Sequence, residues 1–205
     1  MNYLNKLCIF LFLGLLLCSC GKKYEEPPFD PRLIHSPLYT SSLEKWSKED
    51  KIYSGLSSIA FMNITHQSLE FRKAYVKELS RLKMFSLDEQ KELLDASIKE
   101  EEEYITFIFR IYTAKKEWND FHKGNSMWKI TLKNDHNEII DPHDIELLKS
   151  NDPLLAFFYP DINRWVNVYL IAFKKNDPPH FLDDTKTIEL VIASFLARTS
   201  FTWTL

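Results

Sequence analysis

The residues whose types suit metal chemistry are concentrated in one short segment of the chain, residues 135–144. Carboxylates and imidazoles bind Zn²⁺, Mn²⁺ and Ca²⁺, so a turn that folded such side chains together would form a metal site. The spacing matches no established metal motif, and residues 134–137 also have the composition of a polar turn. We favour the turn, keep metal binding as the alternative and expect no cofactor. The candidate ligands are Asp135, His136, Asp141 and His143.

The sequence singles out no residue for nucleophilic or acid–base catalysis. Catalytic triads are defined by geometry, and nothing in the sequence marks one serine as activated. Only Gly55 and Gly124 lie beyond residue 40, whereas phosphate-binding loops and nucleophile elbows need closely spaced glycines. These nucleotide-binding and hydrolase architectures are therefore excluded, and we name no catalytic residue.

Aromatic residues offer a second kind of site. The chain carries 5 Trp, 9 Tyr and 15 Phe residues, and Trp118 and Phe121 fall in a polar segment between two expected strands. Exposed aromatic side chains on a rigid domain form binding patches for protein, glycan or peptide. The favoured alternative is that both rings pack under the loop as a lid on the core. Partner binding through Trp118 and Phe121 is kept as the other hypothesis.

The first twenty residues have the composition of a secretory signal. Lys6 supplies a positive charge, residues 7–17 form an apolar run too short to span a bilayer, and Cys18-Ser19-Cys20 follows. This order resembles the lipobox of bacterial lipoproteins, in which a small residue precedes a cysteine that is diacylated and becomes the new N-terminus. The resemblance implies lipidation of Cys20. A plain cleaved signal or a membrane anchor helix is the alternative.

The same resemblance implies a location. Residues 1–19 would leave as the signal peptide, and Cys20 would be the one cysteine left of the 3 in the chain, which excludes a disulfide in the mature protein. In the enterobacterial sorting pattern, an Asp after the lipidated cysteine retains a lipoprotein in the inner membrane. Gly21 occupies that position here. The resemblance therefore implies a protein anchored at the periplasmic face of the outer membrane.

The charge of the chain is balanced. It has 26 basic and 29 acidic residues and no basic stripe interleaved with aromatic residues, which argues against a nucleic-acid partner. The expected partners are the membrane, through acyl chains on Cys20, and another protein of the envelope.

The Pro-rich composition of residues 20–40 predicts an extended tether, because proline fixes φ and removes a hydrogen-bond donor. Phe29, Leu33 and Leu38 could instead dock this segment on the domain. Residues 41–205 have an ordinary length for a single domain.

Hydrophobic periodicity predicts a helical hairpin inserted among strands. The first helix falls within residues 68–85, and a capping box of Ser86 and Glu89 starts the second, whose buried side would be Leu87, Leu93, Leu94 and Ile98. We expect short helices at residues 41–50 and 141–149, the latter because Asp141-Pro142 has the form of a helix start. Strands are expected near residues 51–65, 104–112, 128–133, 154–159, 166–172 and 188–205.

About seven such strands with polar turns are typical of a sandwich. The prediction is an α+β fold: an antiparallel, immunoglobulin-like β-sandwich with an inserted helical hairpin. For function, the sequence favours a non-catalytic binding or scaffolding module that faces the periplasm. The alternatives are an envelope hydrolase or metal-dependent enzyme with a site near residues 134–144, and a carrier of small ligands.

Overall fold

Four α-helices, one short 3-10 helix (Lys116–Trp118) and nine strands occur in the part of the chain that the computed structural model describes, residues 35–149 and 151–205. These elements confirm the predicted α+β class. The helices are α1 (Pro37–Trp46), α2 (Leu69–Lys83), α3 (Leu87–Glu103) and α4 (Pro153–Phe158). The strands are β1 (Ser47–Ser54), β2 (Ser57–His66), β3 (Tyr104–Thr113), β4 (Lys129–Asn134), β5 (Ile139–Ile140), β6 (Asp144–Leu148), β7 (Asn167–Lys174), β8 (Thr187–Ala193) and β9 (Arg198–Thr204).

The strands form two antiparallel sheets. One has five strands in the order β1-β2-β3-β7-β6, and the other has four in the order β5-β4-β8-β9. Apolar side chains of both sheets belong to one core. The two sheets meet, for example, where the rings of Phe107 on β3 and Trp203 on β9 lie 5.1 Å apart between centroids.

The chain between residues 35 and 66 differs from the predicted helix and single strand. Helix α1 begins at Pro37, because Ser36 caps it and proline suits the first helical position. The predicted strand at residues 51–65 is a hairpin, since Gly55 adopts a φ of 59° and lets the chain reverse between β1 and β2. Tyr39 of the predicted tether is fully buried, so residues 35–40 belong to the folded domain rather than to an extended linker.

The helical hairpin between β2 and β3 is confirmed. The Ser86 hydroxyl accepts the amide of Glu89 and the Glu89 carboxylate accepts the amide of Ser86, so the capping box is also confirmed. The predicted burial of α3 is wrong. No residue of this helix is buried, and Leu87 is 84% exposed. Because α3 packs at the surface against α2, its apolar stripe is covered only in part, for example at Leu93.

Two further predictions of secondary structure are wrong, because a strand forms where a helix is expected and a helix forms where a strand is expected. Residues 144–148 form strand β6 on the edge of β7 instead of a helix, and residues 153–158 form helix α4 instead of a strand. The sequence pair that starts a helix, Asp followed by Pro, occurs at both places. Asp152 accepts the amide of Leu154 and caps α4, whereas the chain after Asp141 pairs with β7. The predicted C-terminal run is likewise a hairpin, with β8 and β9 on either side of residues 194–197.

The helices cover part of the outer face of the five-stranded sheet. Arg72 of α2 donates to the hydroxyl of Thr106 on β3 at 2.7 Å, which holds the helical hairpin against that face. The rest of the face, toward Phe61 and Tyr112, is open and lines a groove. Among the described residues, no helix combines the length and the apolar character needed to cross a membrane.

Candidate functional site

The predicted metal ligands are engaged with different partners. The Asp135 carboxylate accepts the backbone amide of Lys186 at 3.0 Å, and this hydrogen bond holds the pKa of Asp135 below its usual range. Asp141 forms an exposed ion pair with Lys129 at 3.3 Å. Within residues 35–149 and 151–205, no three His, Cys, Asp or Glu side chains form a group able to hold a metal ion.

The segment around these residues is built as a turn. Asn134 accepts the amides of His136 and Glu138 at 3.1 and 2.9 Å, and its carboxamide nitrogen donates to Glu138 at 2.7 Å. The ring of His143 lies instead against Tyr104, 5.6 Å away between centroids. The side chain of Asn134 therefore satisfies backbone amides of the β4–β5 connection.

Phe121 packs in the core, whereas partner binding through it is the less favoured of the two sequence hypotheses. Its ring is 3% exposed, stacks on Trp128 at 5.2 Å and meets the edge of Phe109 at 5.0 Å. Trp118 is half-buried, and its carbonyl accepts the indole N–H of Trp128 at 2.7 Å. The alternative interpretation, a lid over the core, describes both residues, because the loop that carries them folds onto the inner side of β3.

A pair of adjoining grooves lies open at the outer face of the five-stranded sheet. Their volumes are about 470 and 400 Å³, and Tyr112 and Trp165 line both. We call this pair the trough. Its lining residues come mainly from β1, β2, β3 and the segment at residues 161–166, and it ends beside Lys116, Arg164 and Asn167.

The alternation of side chains along β2 and β3 shows which residues form the floor of the trough. From Ala60 to His66 on β2 the even-numbered residues face the core, so Phe61 and Asn63 face outward, and on β3 the outward residues include Arg110 and Tyr112. A register shift in the pairing of β1 with β2 brings Ser58 to the outward side as well. Register pairs Phe61 with Tyr112 and Asn63 with Arg110. The ring of Phe61 lies 5.5 Å from Tyr112 and 5.8 Å from Tyr53 on β1, so aromatic rings form a row across three strands.

A buried ion pair holds the wall of the trough against this floor. Arg110 is 4% exposed, and its Nε lies 2.9 Å from both carboxylate oxygens of Asp161. Its Nη1 donates to the Thr65 hydroxyl at 2.8 Å, and its guanidinium lies 4.5 Å from the ring centre of Tyr159. Since a buried charge must be paired and hydrogen-bonded, this arrangement fixes residues 159–166 against the sheet before the chain enters β7.

The wall presents Trp165 to solvent. Asn163 accepts the amide of Trp165 at 2.9 Å, and the Val166 amide donates to the Asn163 carbonyl at 3.0 Å, which makes a tight turn. Trp165 is 57% exposed, with the guanidinium of Arg164 4.7 Å from its ring centre. A large aromatic ring is thus held at the rim of the trough instead of in the core.

The trough is neutral at one end and positive at the other. Toward β1, Lys51 lies 3.8 Å from Glu49, and Arg110 is neutralised by Asp161. At the far end, Arg164 and Lys116 have no ion-pair partner within the described part of the chain.

Three neutral polar groups of the trough floor are free to bind a ligand. The Asn63 carboxamide and the hydroxyls of Ser58 and Tyr112 make no hydrogen bond within the described residues. The site therefore offers aromatic rings, hydrogen-bonding groups and two cations to a ligand that lies across the sheet.

A smaller cavity of about 290 Å³ reaches His66 near Trp46. Burial lowers the pKa of His66 to about 3, so its imidazole is neutral at neutral pH. The ring packs between Trp46 at 5.4 Å and Phe107 at 5.1 Å. His66 is therefore a packing residue of the core and is unsuited to proton transfer near neutral pH.

The sequence carried a signal for the trough. Phe61 and Tyr112 are aromatic residues at strand positions that alternation turns away from the core, and Trp165 lies in a polar loop beside two turn-forming residues. That combination indicates an aromatic surface, but only the pairing of β2 with β3 shows that the rings are neighbours.

Comparison with protein-family models finds no match to this chain, and comparison with curated proteins finds none either.

Proposed function

We propose that this protein is a lipid-anchored component of the bacterial cell envelope whose domain binds another envelope component without catalysis. The observation that carries the binding role is the trough. It is built on two central strands and held by the buried Arg110–Asp161 pair, and it exposes Trp165 together with hydrogen-bonding groups that have no partner in the described protein. Preformed surfaces with an exposed aromatic anchor are typical of binding sites.

The anchor is proposed from the N-terminal sequence, which lies outside the described residues. The order of charge, apolar run and Ser19-Cys20 supports removal of residues 1–19 and lipidation of Cys20. Gly21 supports the periplasmic face of the outer membrane. Replacement Cys20→Ala should release the protein from membranes into the soluble fraction. Unchanged membrane association of that variant would contradict the lipoprotein assignment.

Binding without catalysis is supported by the composition of the trough. Among the described residues its lining contains no histidine or cysteine, and its carboxylates Glu49 and Asp161 are both paired with cations. Covalent catalysis needs a nucleophile beside a base that activates it, and no such pair lines the trough. The alternative of a hydrolase or metal-dependent enzyme near residues 134–144 has no supporting observation, because the side chains there bind the turn and the neighbouring strands.

We also propose that the two sheets form an immunoglobulin-like sandwich. The support is that both sheets are antiparallel and that their apolar side chains share one core, with Phe107 against Trp203. In this arrangement the trough lies on the outer face of one sheet, and the helices cover the remainder of that face.

The binding role is tested by asking whether the trough is occupied in cells. Ser58 lines the trough and Ser57 next to it does not. The variants Ser58→Cys and Ser57→Cys each introduce one thiol of nearly native size. We expect a maleimide that enters the periplasm to label Ser58→Cys severalfold more slowly in cells than in purified protein, and Ser57→Cys equally fast in both. Equal rates for Ser58→Cys in cells and in solution would mean an empty trough and would refute the binding role.

A further inference from the structure

We infer that the ligand of the trough is a glycan chain that carries carboxylates, an inference that rests on the proposed binding function. The reasons are the direction in which the trough runs, the side chains on its floor and the distribution of its charges.

The trough runs across the sheet rather than along an edge. Its lining includes residues of β1, β2 and β3 and reaches Asn167 at the start of β7. Strands β2 and β3 each have neighbours on both sides, so their backbone groups are already paired. An extended peptide binds a sheet through unpaired backbone groups at an edge strand, and the floor of the trough offers none. A ligand that lies on this floor is therefore recognised by side chains rather than by unpaired strand backbone.

The side chains on the floor and rim suit a polyhydroxylated ligand. Sugar rings have apolar C–H faces that pack on aromatic rings, and Trp165 and Tyr53 are both exposed beside the trough. Sugar hydroxyls both donate and accept, as do the carboxamide of Asn63 and the hydroxyls of Ser58 and Tyr112. These groups have no protein partner in the described part of the chain, so a ligand can bind them without breaking an existing hydrogen bond.

The positive end of the trough selects a glycan with acidic groups. Lys116 and Arg164 lie together beyond Trp165, whereas the charges at the β1 end are paired with each other. Arginine binds carboxylates through two parallel hydrogen bonds. A chain whose sugar rings pack on Trp165 would present its carboxylates to Arg164 and Lys116.

The test is co-sedimentation of the full mature chain, in detergent, with purified peptidoglycan sacculi, whose amino-sugar chains carry carboxylates. Two soluble competitors separate the parts of the ligand. The hexamer of N-acetylglucosamine has sugar rings without charge, and poly-L-glutamate has carboxylates without sugar. We expect sacculi to bind the protein and neither competitor alone to displace it fully.

The variants divide the contributions of ring and charge. We expect Trp165→Ala to weaken binding about tenfold, as truncation of an aromatic anchor does. The double variant Lys116→Gln, Arg164→Gln should weaken it by a similar factor and remove its salt dependence. Matched controls are Phe195→Ala, an exposed aromatic in the β8–β9 turn, and Lys73→Gln with Lys77→Gln, exposed cations of α2. These controls should bind as the unmodified protein does, and thermal unfolding should show all variants to be folded.

The outcomes separate this inference from the function on which it rests. Complete displacement by poly-L-glutamate, or equal loss in the control variants, would mean non-specific charge and would overturn the glycan assignment. Absence of binding to sacculi while Ser58→Cys remains protected in cells would also overturn it and would indicate a protein partner in the trough. Absence of both binding and protection would overturn the proposed function as well.

Discussion

Two ion pairs of this protein each have one buried partner, and they have different consequences. Under the trough, Arg110 of β3 is fixed by Asp161, whose side chain remains partly open to the groove. Under α1, the carboxylate of Glu78 is 1% exposed and bonds Arg81 at 2.6 Å and the amide of Ser36 at 3.1 Å. One pair positions a surface that a ligand can reach, whereas the other fixes the start of the folded domain.

The surroundings of the two pairs explain the difference. His35 lies against Glu78, with its Nδ1 3.4 Å from the carboxylate and its Nε2 2.9 Å from the carbonyl of Phe157. Tyr39 closes the same region, because its hydroxyl donates to the Phe158 carbonyl at 2.6 Å. Among the residues that the structure describes, no such cover lies over Asp161, whose side chain is partly exposed. A carboxylate–arginine pair thus stabilises the fold where helices cover the sheet, and it positions the rim of the trough where the sheet is open.

The largest effect is expected from breaking the pair under the trough. Replacement Arg110→Leu removes the hydrogen bonds to Asp161 and Thr65 and leaves a carboxylate without its cation. We expect a loss of about 3–5 kcal/mol in the free energy of unfolding, measured by urea denaturation. The control is Lys129→Met at the exposed pair with Asp141, where the loss should be below about 1 kcal/mol. Equal losses at both pairs would mean that burial does not distinguish them.

A smaller loss is expected at the covered pair. Replacement Glu78→Gln preserves the shape of the side chain and removes its charge, and the Arg81 guanidinium, which is half exposed, can turn to water. We expect a loss of about 2–3 kcal/mol, because hydrogen bonds to a charged acceptor become weaker neutral ones. Since α1 depends on this contact, hydrogen exchange at residues 37–46 should accelerate more than exchange in β3. Uniform acceleration across both elements would contradict a local role.

The stability supplied by Glu78 should depend on pH. Burial alone would raise the pKa of this carboxyl, but the hydrogen bonds from Arg81 and Ser36 outweigh burial and lower the pKa from 4.5 to about 2. A lowered pKa in the folded state contributes stability that is fully present above pH 4.5 and is lost as the pH falls toward 2. The stability difference between the unmodified protein and Glu78→Gln should therefore shrink over that interval. A difference that stays constant from pH 5 to pH 2 would refute the assignment.

The smallest effect on stability is expected at the rim. Replacement Trp165→Ala removes a ring that is mostly exposed, so the free energy of unfolding should change by no more than about 0.5 kcal/mol. Its effect should fall on binding alone. A large loss of stability, seen as a shift of the urea midpoint, would mean that Trp165 supports the fold rather than a ligand.

Local signals in the sequence account for much of this fold. The capping box at Ser86 and the alternation at residues 104–112 predict their elements because each depends on neighbours a few positions away. The hairpin at Gly55 is not predicted, because one glycine between two runs of similar composition does not reveal where a strand reverses. The pair Asp-Pro starts a helix at residue 152 and none at 141, since β7 offers an edge only to the latter segment.

The site is harder to predict because it depends on long-range pairing. Arg110 and Asp161 are 51 positions apart, and nothing local marks them as partners. Phe121 and Trp165 both lie in polar loops, yet one packs under Trp128 and the other is held outward by Asn163. Sequence composition predicts that loop aromatics matter, whereas the neighbouring strands decide which of them face solvent.

The most direct test of the central claim, that the trough is the binding surface of this protein, is the labelling rate of Ser58→Cys in living cells with and without Trp165→Ala. A bound ligand anchored on Trp165 predicts slow labelling in the single variant and a rate close to that of purified protein when the ring is removed. Phe195→Ala in the same background should leave labelling slow. Equal labelling with and without Trp165 would contradict the claim.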